Sequence, residues 1–154
     1  GQGTTMCLYL PRFFGDGELE AEPSTRGIDE SAEGELILLV EDEHTIRELL
    51  TEELRELGYQ VIAVGNGAAG LEVLQSNARI DLLLTDVGLP GGLNGRQVAD
   101  AGRETRPDLK VLFLTGYAQN AAVGNGLLGP DMEVLTKPFD IEVLATKVRR
   151  ILER

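Results

Sequence analysis

A single cysteine, Cys7, in a chain of 154 residues rules out an internal disulfide and any cysteine-ligated metal centre. A reducing, cytoplasmic setting is the simplest expectation. Basic residues are also scarce, with 14 Lys and Arg against 26 Asp and Glu, a net charge of −12 and an isoelectric point near 4.5. That balance argues against direct binding to a nucleic-acid backbone and favours cations or a basic patch on a partner. Long hydrophobic runs are missing too, as is a basic-then-apolar leader, so no membrane span or signal peptide is expected in this segment. The chain starts Gly1-Gln2-Gly3 without methionine, which points to a piece of something longer.

What is present is unevenly spread. Residues 1 to 35 hold 8 acids and 2 bases, whereas residues 36 to 154 hold 18 and 12. Residues 1 to 14 contain one short β-prone stretch ending at Pro11, which cannot bury a core alone. Residues 15 to 35 are rich in Gly, Glu, Asp, Pro and Ser, and should form a flexible acidic linker. From Leu36 short apolar runs alternate with helical periodicity, giving one domain over residues 36 to 154. Strands are predicted at Leu36 to Val40, Gln60 to Val64, Asp81 to Thr85, Leu109 to Thr115 and Met132 to Leu135. Helices are predicted at Thr45 to Leu57, Ala68 to Gln75, Gly95 to Thr105 and Ile141 to Leu152. The first of them has an apolar face of Ile46, Leu49, Leu50, Leu54 and Leu57. A short helix is expected in Ala118 to Pro130, weakened by Gly124, Gly126 and Gly129, since an interior glycine costs about 1 kcal/mol relative to alanine. This alternation predicts an α/β fold of the flavodoxin-like, doubly wound kind: five parallel strands in the order 2-1-3-4-5, with helices on both faces.

The stretch with most chemical character is Leu82-Leu83-Leu84-Thr85-Asp86. Unbroken leucines suit a strand covered on both faces, and ligand sites of such sheets lie outside the strands' carboxyl ends, where Asp86 falls. In the expected order Glu41 and Asp42, just after the first strand, come close to Asp86. Three carboxylates in one crevice repel unless a cation sits among them, and an all-oxygen site suits Mg²⁺ or Mn²⁺. Other strand ends bring Thr115, a hydroxyl, and Lys137, a point charge. Hydroxyl, ammonium and metal around a carboxylate are what a transferring phosphoryl group needs. Gly65-Asn66-Gly67-Ala68-Ala69-Gly70 also satisfies Gly-x-Gly-x-x-Gly, the mark of a nucleotide- or flavin-binding module, but it follows the second strand instead of the first.

Leu38-Leu39-Val40-Glu41-Asp42-Glu43, Leu84-Thr85-Asp86-Val87-Gly88-Leu89-Pro90, Asn94-Gly95, Leu114-Thr115-Gly116-Tyr117 and Thr136-Lys137-Pro138-Phe139 together resemble the receiver domain of two-component response regulators. The resemblance implies that Asp86 is the phosphoacceptor and Asp42 a direct metal ligand, with Glu41 acting on the metal through water. Gly88 would lend a backbone carbonyl, Thr115 would bind a phosphoryl oxygen, and Lys137 would pair with the phosphorylated carboxylate. The Lys137-Pro138 bond is expected in cis. Gly3-Thr4-Thr5 leading to Leu10-Pro11-Arg12 resembles the end of the ATP-binding domain of sensor histidine kinases. The whole thus resembles the C-terminal end of a hybrid histidine kinase, with a phosphohistidine-bearing kinase or phosphotransfer domain as partner and a homodimer left open. The position three before the lysine, usually aromatic in the family, is Val134, which departs from the usual threonine–aromatic switch and leaves open whether Tyr117 substitutes for it or is simply exposed. An aspartyl-phosphate phosphatase is the other alternative, although such enzymes carry a second acid where Gly88 stands. His44, the one histidine, is expected to be a surface helix residue and not the phosphodonor.

Overall fold

The computed structural model describes residues 34–116 and 128–154. Cys7, the stretch 1 to 14, nearly all of the acidic linker, Tyr117 and most of the glycine-rich segment lie outside the described residues. Among those described, five strands form one parallel sheet: β1 Leu36–Val40, β2 Gln60–Val64, β3 Leu82–Asp86, β4 Lys110–Thr115 and β5 Met132–Thr136. Four helices accompany them: α1 His44–Glu56, α2 Gly67–Gln75, α3 Gly95–Thr105 and α4 Ile141–Leu152. The order across the sheet is β2-β1-β3-β4-β5, as the alternation of elements requires.

The three central strands explain their own composition. Successive side chains point to opposite faces, so a strand covered on both sides must be apolar at every position. Ile37, Leu39, Leu82, Leu84, Leu112 and Leu114 pack with Leu50 and Leu54 of α1 and Leu144, Val148 and Ile151 of α4. Their neighbours Leu38, Val40, Leu83, Val111 and Phe113 pack on the other face with Leu74 of α2 and Val98 and Ala99 of α3. Each fully buried leucine contributes about 1.5–3 kcal/mol relative to exposure, so the two faces together hold the sheet rigid beneath the site.

Asn66 and Asn94 start their helices as accepting caps, and Asn94 forms a reciprocal capping box with Gln97. Gly70 packs where a Cβ would come within 2.8 Å of Val40 on β1, so in the Gly-x-Gly-x-x-Gly stretch this glycine serves close helix-on-strand contact.

Several boundaries move by one residue: Asp81, Leu109 and Leu57 fall just outside their predicted elements, while His44, Gly67, Asp86 and Thr136 join theirs. Asp81 precedes β3 instead of opening it, because its carboxylate accepts from Leu36 N at 2.9 Å and from Arg79 Nε at 2.9 Å. Leu49 is 52% exposed. The buried stripe of α1 runs through Ile46, Leu50, Leu54 and Leu57, leaving Leu49 one step round toward solvent.

Candidate active site

Parallel register lines up the carboxyl ends of four strands. Val40 pairs with Thr85, Asp86 with Leu114, and Thr115 with Thr136. The residues that end or follow these strands therefore share one rim: Glu41 and Asp42 after β1, Asp86 closing β3, Thr115 closing β4, and Lys137 after β5. No periodicity along the chain contains this juxtaposition, since Lys137 and Glu41 stand 96 positions apart.

Carboxylate oxygens of Glu41, Asp42 and Asp86 lie within 4.8 Å of one another. Into this cluster reaches the Lys137 ammonium, donating to Asp86 Oδ2 at 2.6 Å and to Glu41 Oε2 at 3.1 Å. The other Asp86 oxygen, Oδ1, accepts from the Gly88 backbone N–H at 2.6 Å. Asp86 is thereby held at both oxygens while its side chain stays 13% exposed, enough to be approached from solvent.

Glu41 is the buried member, 1% exposed, with its backbone N–H tied to Val64 of β2 at 3.1 Å. Burial pushes its pKa above the ordinary glutamate value; Lys137 and the Glu43 N–H pull it back, and the charge of Asp86 adds to the rise. Burial works against the Lys137 ammonium as well, but the hydrogen bond and charge of Asp86, joined by Glu41, outweigh it and hold its pKa above the usual lysine value. Three carboxylates thus stand together with one ammonium, which pairs with two of them, Glu41 and Asp86. The cluster is under-neutralised, and hard oxygen donors with excess negative charge fit a divalent cation such as Mg²⁺.

The supports are local. Gly95 opens α3 against the site, where a Cβ would fall 2.0 Å from the Asp86 carbonyl. The Lys137–Pro138 bond is cis, and the Lys137 N–H donates to the Thr115 carbonyl at 2.7 Å. Thr115 is fully buried at the end of β4. Val134 is half-buried against the α2 and α3 face of the core, and its carbonyl accepts from Lys147 Nζ at 3.0 Å. His44 is exposed at the start of α1, 3.3 Å from Glu48 Oε1, and takes no part in the acidic cluster. Arg47 was not singled out from the sequence. It sits in the second turn of α1, from which side chains lean back toward the helix N-terminus and the loop holding Glu41 and Asp42; that lean was the available signal.

No helix among the described residues is long and apolar enough to cross a membrane. Known proteins resemble this chain in sequence and in fold. A sensor kinase, CckA of Brucella abortus, is 30% identical over 161 residues, covering 100% of this chain, which spans only 17% of that protein's length. The response regulator receiver protein CpdR of the same organism is 37% identical over 75% of this chain and 95% of its own. The receiver domain of a Pseudomonas aeruginosa sensor histidine kinase, solved with a magnesium ion in its active-site cleft, superposes with a TM-score of 0.69 at 29% identity, covering 79% of this chain and 99% of that one. The response regulator receiver domain as a family matches residues 37–149. Sheet order, site geometry and that match agree: the chain belongs to the response regulator receiver domain family, and its place is in two-component signal transduction.

Proposed function

We propose that Asp86 accepts a phosphoryl group from a phosphohistidine and later releases it by hydrolysis. One observation carries this reading. The Asp86 carboxylate is fixed by Lys137 and Gly88 at 2.6 Å each, and shares its crevice with Glu41 and Asp42. In the transfer an Asp86 oxygen forms the new O–P bond as the P–N bond of the donor breaks. The electron pair returns to the imidazole, which leaves neutral when its other nitrogen carries a proton. Lys137 moves with the charge, pairing first with the free carboxylate and then with the phosphorylated one, and the Thr115 hydroxyl donates to a phosphoryl oxygen. Asp42, Asp86 and the Gly88 carbonyl, with Glu41 acting through water, would hold a Mg²⁺ or Mn²⁺ ion, whose chemistry when bound would be to neutralise charge on the phosphoryl oxygens.

The donor is a kinase or phosphotransfer domain in the cytoplasm, and the parent protein is a hybrid histidine kinase. Two things support that parentage: similarity to the sensor kinase runs along the whole chain, including residues 1 to 35, and the stretch 1 to 14 has the character of an ATP-binding domain's end. In this reading residues 15 to 35 are the tether between the two domains.

Intact-mass spectrometry after incubation with acetyl phosphate, with and without Mg²⁺, tests the chemistry. A single phosphoryl adduct that disappears without Mg²⁺ and in Asp86→Asn is expected; an adduct that survives Asp86→Asn would sink the assignment.

A further inference from the structure

Among the described residues, Arg47 is the one long side chain that the candidate mechanism leaves unused and that nonetheless touches the acidic loop. Its Nη1 donates to the Glu41 carbonyl at 2.7 Å and to the Asp42 carbonyl at 3.1 Å, while Nη2 lies 3.2 Å from His44 Nδ1. Gly65, at the end of β2, leaves the room: a Cβ there would fall 3.2 Å from Nη1. One guanidinium nitrogen, Nη1, therefore bridges the two consecutive carbonyls of residues that carry two of the three clustered carboxylates, and Nη2 faces His44.

The two acids depend on it differently. Glu41 is buried and has other anchors: its N–H on Val64, its carboxylate oxygens on Glu43 N and Lys137. Asp42 is exposed, and among the described residues its carboxylate has no hydrogen-bond or ion-pair partner. Where the Asp42 carboxylate stands is thus set by its backbone, and Arg47 is the side chain bonded to that backbone carbonyl.

We infer that Arg47 is a positioning residue for divalent cation binding, holding the β1–α1 turn so that Asp42 presents its carboxylate to the crevice it shares with Glu41 and Asp86. This rests on the receiver reading of the site. Two effects of Arg47 oppose each other. Its positive charge beside the acids repels a cation, whereas its hydrogen bonds order the ligands. Outer partners that orient metal ligands typically change affinity by about 10- to 100-fold when removed, so ordering is the larger effect.

Calorimetric titration of the full chain with Mn²⁺ separates them, using Arg47→Met, which loses charge and donors, and Arg47→Lys, which keeps the charge but ends one bond short of Nη1 and so of the two carbonyls. Ordering predicts about tenfold weaker binding in Arg47→Met and a smaller loss in Arg47→Lys. It also predicts faster amide hydrogen exchange at Asp42 and Glu43 in both metal-free variants. Should Arg47→Met fail to fold, Arg47→Lys decides by itself. Binding in Arg47→Lys equal to the parent, or tighter binding in Arg47→Met, would overturn the inference and make Arg47 a mere counter-charge. A parent chain that takes up no Mn²⁺ would overturn the metal reading and this inference together, whereas uptake unaltered by either variant overturns this inference alone.

Discussion

Two charge clusters flank β5, and they are built in opposite senses. At the rim, Glu41, Asp42 and Asp86 cluster around one ammonium, that of Lys137, which pairs with Glu41 and Asp86 and leaves Asp42 without an ion-pair partner among the described residues. On the outer strand, Glu133 alone is met by Lys147 at 3.4 Å, by Arg154 at 2.9 Å and by Arg150. The consequences for titration are opposite as well. Burial raises Glu41, and Lys137 only partly offsets it. Burial also acts to raise Glu133, but hydrogen bonds from Arg150 and Lys147 and their charges more than reverse it, leaving its pKa below the ordinary value. A carboxylate surrounded by three cations holds α4 and its C-terminal end to the sheet and has no use for a further ion. Carboxylates that outnumber their cations are a site waiting for positive charge. The acid count around a cation, and not the presence of an ion pair, separates the functional cluster from the structural one.

That contrast can be broken at Lys137. Removing it with Lys137→Met leaves Glu41 buried without its ammonium, and breaking a buried pair from one side costs about 3 kcal/mol or more. Urea unfolding is expected to show that loss at neutral pH and a smaller one in acid, where Glu41 takes up a proton. An equal loss at both pH values would mean that Lys137 contributes packing and not charge.

The second comparison uses metal. A ligand that binds the folded chain alone stabilises it by about 2.7 kcal/mol at a hundred times its dissociation constant. A rise in melting temperature with Mg²⁺ is therefore expected in the parent and in Glu133→Gln, and none in Asp42→Asn. A rise that survives Asp42→Asn would place the ion elsewhere.

The smallest effect is the pH dependence. Glu133, with its pKa lowered below 4.5, contributes stability that is present above the unfolded value and lost as pH falls through the folded one. Glu133→Gln should cost about 1 kcal/mol at neutral pH, since Arg150 and Arg154 are half-exposed and screened, and its deficit should close on the acid side. Glu41, raised above 4.5, runs the other way: its contribution is present below the unfolded value and lost as pH rises through the folded one. Stability curves of the metal-free chain should accordingly show Glu41→Gln gaining on the parent between acid and neutral pH. Parallel curves for the two variants would erase the distinction between the clusters.

Much of this molecule was legible in one dimension. The unbroken leucines Leu82 to Leu84 announced a strand covered on both faces, and the alternation of strands such as Leu36–Val40 with helices pointed to the sheet order. Asp86, Glu41, Asp42, Thr115 and Lys137 could be named because strand ends and the short motifs around them are local features. Leu49 was misplaced because a helical repeat marks a stripe only to within one residue, and packing against the sheet decides which leucine turns inward. The Glu133 cluster and the two carbonyl contacts of Arg47 went unread for a different reason, the lean of Arg47 toward the start of its helix being the sole local hint. Glu133 meets Lys147, Arg150 and Arg154 only once α4 lies along β5, and Arg47 finds its two carbonyls only once the β1–α1 turn closes.

The chain alone, then, determined which residues could be strands and which acids would stand at their ends, since side-chain polarity and periodicity are properties of neighbours in sequence. Tertiary structure decided how many cations each carboxylate meets, and with that whether it is satisfied or left to bind. The reason is distance: electrostatic and hydrogen-bonding partnerships act over a few ångströms, and only the register of the parallel sheet brings residues 96 positions apart to 3.1 Å.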